Sequence, residues 1–203
     1  MKRYYFLLLP LFTIYSCVYS LYPVSKMEGD HIFREELLGD WSDNEKDFRC
    51  RVDMVENKKY FISVFGVMDS PDSRRIETKI DSSYFEAFLI QSSGQYHLDC
   101  SPAMEESLDS IGFYTAAALL PLHKIFKVDI LSKDRLVIAG INKDSLEKYS
   151  STSGLTIKKD LMGHDNIILM DQPGKLQKGL LQNKKAKFIF SDSLVLTRKS
   201  QPK

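Results

Sequence analysis

Residues 48–65 read FRCRVDMVENKKYFISVF. Phe48, Cys50, Val52 and Met54 alternate with Arg49, Arg51, Asp53 and Val55, and this period of two turns an apolar edge to one face of a β-strand. Glu56-Asn57-Lys58-Lys59 breaks the pattern as a polar turn. Tyr60-Phe61-Ile62-Ser63-Val64-Phe65 then returns as a second strand, rich in aromatic and β-branched residues. An isolated hairpin is marginal in water, so these two strands require further strands to cover their apolar face.

The rest of the chain supplies them. Residues 75–80 alternate again, and 84–91 (YFEAFLIQ) suit either a strand or a helix. Ser92-Ser93-Gly94 is a turn before a short strand at 95–100 (QYHLDC). The period changes at 102–120, where Met104, Leu108, Ile111 and the Ala116-Ala117-Ala118 run predict a helical insert ended by Pro121. Residues 125–131 and 135–141 form a hairpin across Ser132-Lys133-Asp134, and 142–149 a short helix. Residues 155–158 and 166–170 are further strands. Asp171 caps a predicted helix over 171–182 carrying Leu176, Leu180 and Leu181. Residues 187–190 and 194–198 read as a closing hairpin across Ser191-Asp192-Ser193. Eight to ten short strands at regular spacing predict a mainly β, β-rich α+β chain, built as a sandwich or a barrel. The expected form is an antiparallel barrel or a strongly curved sheet, with helical inserts near 102–120 and 171–182.

Gly39-Asp40-Trp41 opens the first strand region with the only Trp, and Arg198 lies in the last strand. A G-x-W at the first strand and an Arg on the last resembles the calycin superfamily, the lipocalins and their bacterial lipocalin-like relatives. The resemblance implies that Trp41 plugs the closed end of a barrel, with the Arg198 guanidinium packed across its indole. Leu38-Gly39-Asp40-Trp41, Phe88-Leu89-Ile90, Tyr96-His97-Leu98-Asp99, residues 123–128 (HKIFKV) and the span 167–198 are loosely similar to a family of uncharacterised envelope lipoproteins of Bacteroidetes-type bacteria. That family brings no activity with it.

The N-terminus carries an export signal. Lys2 and Arg3 precede the uncharged run 4–15 (YYFLLLPLFTIY), too short for a membrane span and broken by Pro10. Ile14-Tyr15-Ser16-Cys17 resembles a bacterial lipobox, with Tyr15 a departure from the commonest form; the competing reading is cleavage after Val18-Tyr19-Ser20. The expected organisation is a signal peptide over 1–16, a lipid anchor at Cys17 with a tether through residue 36, and one β-rich lipocalin-like domain over 37–199. With Cys17 lipidated, Cys50 and Cys100 remain as an even pair on apolar faces, either bridged or simply buried.

Composition narrows function by exclusion. The 203 residues are 43% hydrophobic and 27% charged, with 28 basic against 27 acidic side chains. That is a globular balance with no basic surplus for nucleic acid. His31, His97, His123 and His164 show no HxH, HExxH or CxxC spacing, so no metal or cofactor is expected. His97 and Asp99 share a strand face and could pair. Ser145-Leu146-Glu147-Lys148 and Ser42-Asp43-Asn44 mimic serine-enzyme motifs but stand in the reverse order, without a K-T-G. No catalytic residue is legible. The expectation is a lipid-anchored envelope protein on the periplasmic side of the outer membrane, its barrel taking a small apolar ligand. The alternative is a structural or protein-interaction lipoprotein whose barrel is filled by its own side chains.

Overall fold

A computed structural model describes residues 18–25, 28–43, 48–56, 58–68, 79–103, 122–159 and 166–199, with the backbone alone at 66–68 and 79–82. The strands are β1 (Val18–Ser20), β2 (His31–Ile32), β3 (Gly39–Ser42), β4 (Arg49–Glu56), β5 (Lys59–Met68), β6 (Lys79–Ser92), β7 (Gln95–Pro102), β8 (Lys124–Ser132), β9 (Arg135–Ile141), β10 (Ile157–Lys159), β11 (Ile167–Leu169) and β12 (Phe190–Arg198). The helix α1 spans Lys143–Ser153; α2 (Pro173–Leu176) is one turn that continues as a π-helical stretch, Gln177–Gln182.

Eight strands, β3 to β9 and β12, form an antiparallel meander that closes on itself. Closure is made by β12, which pairs with β9 along most of its length and with β3 at Thr197↔Ser42 and Arg198↔Trp41. A closed sheet has no free edges to protect. Of the forms the strand pattern left open, the observed one is a mainly β closed barrel, consistent with the lipocalin-like barrel that the resemblance implies.

Register assigns the faces. Tyr60 stands opposite Ala87, Ala87 opposite Cys100, Leu98 opposite Phe126, and Leu136 opposite Leu196. These side chains, with Trp41, Val52 and Leu89, form the barrel's interior core. The intervening residues of β6 to β9 face outward, yet Ile90, Ile125, Ala139 and Ile141 are buried too. They belong to a second core, completed by Val18, Leu146, Leu169, Leu176 and Leu180. The wall from β6 to β9 is therefore covered on both faces, as four consecutive buried residues in β7 (His97 to Cys100) record.

One barrel end is built of tight turns at Lys58, at Ser93-Gly94 and at Lys133-Asp134. Ser93 and Gly94 both take positive φ (52° and 75°), the pair a type I′ hairpin requires. The other end, the rim, is where β3 ends and β4 begins, and likewise β5 and β6, β7 and β8, and β9 and β12. α1 is capped by the Asn142 side chain, which accepts from the Ser145 N–H at 3.0 Å, and stops at Gly154 in the left-handed region (φ 70°).

Four readings of the sequence are corrected. Residues 18–36 are not a tether: β1 joins a three-stranded sheet in the order β1-β11-β10, and Val24 and His31 are buried. Asp171 does not cap the 171–182 helix. Gln172 holds that position with Pro173 as the first helical residue, whose fixed φ favours a start there, while Asp171 accepts from the Thr156 N–H at 2.6 Å. Residues 187–198 are not a hairpin. Without a glycine to reverse it, Ser191-Asp192-Ser193 is absorbed as a register shift inside the single strand β12, and 184–189 form a 3₁₀ helix. His97 and Asp99 do share the outward face of β7, but Asp99 pairs with His123 instead, at 2.7 Å. Of the helical insert predicted near 102–120, residues 104–120 lie outside the described residues; β7 runs through Pro102.

Candidate functional site

The closed end is assembled around Trp41. It is 1% exposed, and its indole N–H donates to the Leu37 carbonyl at 2.9 Å. Arg198 stands beside it in register, with its guanidinium carbon 4.4 Å from the ring centroid. The planar fork then donates in three directions: Nε to the Lys133 carbonyl at 2.8 Å, Nη2 to Glu36 at 2.9 Å, and Nη1 to Leu38. Gly39 makes this possible. Its φ of +119° disfavours any side chain, and a Cβ there would lie 2.5 Å from Arg198 Nη1.

Residues 31–38 cross the closed end as a strap. The Tyr60 hydroxyl accepts from the Arg34 N–H at 2.7 Å, Phe33 stacks on the Tyr60 ring at 5.6 Å, and Arg34 lies 5.3 Å over the Tyr96 ring. Burial pushes the Tyr60 phenol above its ordinary range. His31 stacks on Phe88 at 4.2 Å, and Lys58 Nζ donates to the His31 carbonyl at 2.8 Å.

The rim half of the interior is different. Phe48, Val64, Phe85, Phe126, Ile138 and Leu194 line it, all on the inward face and all only half-buried. Trp41, Tyr60, Leu89, Leu136 and Leu196 below them are buried to 2% exposure or less. The result is a packed floor beneath an incompletely covered apolar lining. Cys50 and Cys100 belong to the same interior core and are free thiols, so the bridge left open by the sequence is not formed. Burial pushes the Cys50 thiol up to about 12 and also raises Cys100, which keeps both protonated and weakly nucleophilic.

Outside the wall, Asp99 is the hub of a small polar latch. It is 3% exposed; one carboxylate oxygen meets His123 Nδ1 at 2.7 Å and the other accepts from the Val24 N–H at 2.7 Å. His97, two residues away, is 1% exposed, tilts against Phe190, and its Nδ1 meets no hydrogen-bond partner among the described residues. Burial drives its pKa down to about 4, with the charge of Lys127 acting in the same direction. A cavity of about 60 Å³ lies between the β6–β7 turn and the π-helical stretch, lined by Gln95, Leu180, Leu181 and Phe190, too small for an organic ligand.

Of the residues singled out from sequence, Gly39, Trp41 and Arg198 are brought together. Cys17 and His164 lie outside the described residues. Among the described residues no three His, Cys, Asp or Glu side chains are grouped to hold a metal ion, and no helix is long and apolar enough to cross a membrane. Sequence reading missed the Asp99 latch and the strap. Their one visible signal was apolar residues (Val24, Ile32, Phe33) within a segment read as a tether. No family model, curated protein or solved structure matches the chain.

Proposed function

We propose that this is a lipid-anchored cell-envelope protein, held at the periplasmic face of the outer membrane through Cys17, whose barrel takes a small apolar molecule in its rim half. The observation carrying the reading is the contrast inside the barrel: a fully buried floor on Trp41 and, above it, six inward apolar side chains that are only partly buried. Covering such surface returns about 25 cal/mol per Å² removed from water, so an apolar guest gains free energy there without a polar partner. Cys50 and Cys100, protonated and inert, add no reactive group to the lining.

The test is solvent extraction of the purified protein followed by mass spectrometry, with titration of a hydrophobic fluorophore. An apolar molecule recovered in near-stoichiometric amount, and fluorophore binding lost in Leu194→Arg with the melting temperature retained, support the reading. Failure of the wild type to retain or bind any apolar probe would favour the filled-barrel alternative, an interaction or structural lipoprotein.

A further inference from the structure

We infer that the exported chain is cut ahead of Val18, so that β1 stays in the mature domain and the membrane anchor joins it with no tether. This rests on the lipid-anchored reading for the nature of the anchor, but the position of the cut is argued from packing alone.

Two processing sites were open from sequence: one immediately before Cys17, the other after Ser20. They differ by the whole of β1. In the folded domain Val18 is 2% exposed and Ser20 0% exposed. β1 runs parallel to β11, with Val18, Tyr19 and Ser20 opposite Ile167, Ile168 and Leu169. Ser20 and His123 exchange two backbone hydrogen bonds, each 2.8 Å, and Leu21 N–H donates to the Leu169 carbonyl at 3.0 Å. Lys124 Nζ lies 4.9 Å over the Tyr19 ring. The segment is then fastened again at Val24, through its N–H to Asp99.

Cutting after Ser20 would remove β1 with all of its own contacts and leave only the fastenings at Leu21 and Val24. β11, three buried apolar residues, would become an open edge, and His123 would lose both backbone partners. The void left by Val18 would open in the second core. Cutting between Ser16 and Cys17 leaves every one of these contacts in place. That hydrolysis consumes one water and yields a Ser16 carboxylate and a Cys17 amine. The order of events follows. The partners of β1 lie at 123 and 167–169, far downstream, so β1 docks only after most of the chain has been exported. The peptidase therefore meets this segment before it is paired. A lipid on Cys17 is then attached one residue ahead of the core residue Val18, which holds the end of the β1-β11-β10 sheet at the membrane surface.

The test expresses the full precursor in a bacterium that has both signal peptidases, then reads the N-terminal peptide of the mature protein by mass spectrometry. A start at Cys17 bearing lipid is expected. A start at Cys17 or Val18 without lipid upholds the cut and refutes the anchor. A start at Tyr19 or later, or an uncut chain, overturns the inference. Val18→Ala provides a second readout on the same mature protein: the melting temperature should fall by roughly 3–6 °C. An unchanged value would mean that Val18 is absent from the mature core, and would overturn the inference too.

Discussion

Arg198→Ala should be among the most damaging single changes at the barrel surface, because one side chain ties three separate segments to the closed end. Its Nη1 and Nη2 hold the strap at Leu38 and Glu36, its Nε holds the β8–β9 turn at Lys133, and its face covers Trp41 at 4.4 Å. A partly desolvated cation–π contact contributes about 1 kcal/mol. Hydrogen bonds from a charged donor reach about 1.5–3 kcal/mol when buried. The side chain is 27% exposed, so its carbonyl partners can regain water, and about 0.5–1 kcal/mol each is the appropriate figure. The ion pair with Asp134, at 3.7 Å and with Asp134 59% exposed, adds little. The expected loss is about 3 kcal/mol, or roughly 6–12 °C in melting temperature for a domain of this size. Arg198→Lys keeps the charge but not the planar fork, and should recover less than half of the loss. Urea unfolding followed through Trp41 fluorescence measures both. A double-mutant cycle with Trp41→Phe isolates the stacking part, expected at about 1 kcal/mol. An Arg198→Ala protein within about 0.5 kcal/mol of wild type, or a Lys variant indistinguishable from it, would refute the assignment of closure to this side chain.

Three further outcomes are expected. Gly39→Ala should cost about 2 kcal/mol or more, since its Cβ would meet Arg198 Nη1 at 2.5 Å on a backbone at φ +119°; in an Arg198→Ala background the steric part should vanish, a non-additivity that the same urea titrations detect. His97 has a folded pKa of about 4 against an ordinary 6.5. The unfolded chain therefore binds more protons between those values, and stability falls as pH drops from about 6.5 to 4, by up to about 3 kcal/mol; His97→Phe should flatten that slope in pH-dependent melting curves. Asp99→Asn should weaken the latch to Val24 and His123, seen as faster amide hydrogen exchange across 18–25 with little change in the strap at 31–38.

The barrel was readable because its inward and outward faces alternate within single strands, as at Cys50, Val52 and Tyr60, Ile62. Its closure was legible only through the resemblance carried by Gly39, Trp41 and Arg198, since strand alternation alone fits an open sheet equally well. What covers the outside was not. Residues 95–100 alternate as though one face were wet, yet His97 and Asp99 are buried, because Phe190 and Val24 reach them from distant parts of the chain. No local pattern carries that information. Ser191-Asp192-Ser193 has turn composition but continues as strand, because pairing of Asp192 and Ser193 with Gly140 and Ala139 of β9 outweighs local preference. The incomplete packing of the rim half is a property of three-dimensional spacing: the same apolar residue types fill the floor and line the rim.

The double coverage of one wall decides which part of the barrel can adjust. On β7, Leu98 and Cys100 face the interior while His97 and Asp99 face the second core. Alternate side chains share one backbone, so this strand cannot shift inward without tearing contacts outward. β8 and β9 are held in the same way through Ile125, Ala139 and Ile141. On the opposite side β4 presents Arg49 and Arg51 to solvent and is held through Cys50 and Val52 alone. Phe48 and Val64 of the rim lining therefore belong to a wall gripped on one face, and Phe126 and Ile138 to a wall gripped on both. A guest entering the rim half should be accommodated by movement of the β4–β5 side against a fixed β7–β9 side, with the floor on Trp41 unmoved because Arg198 pins it to the backbone in three places.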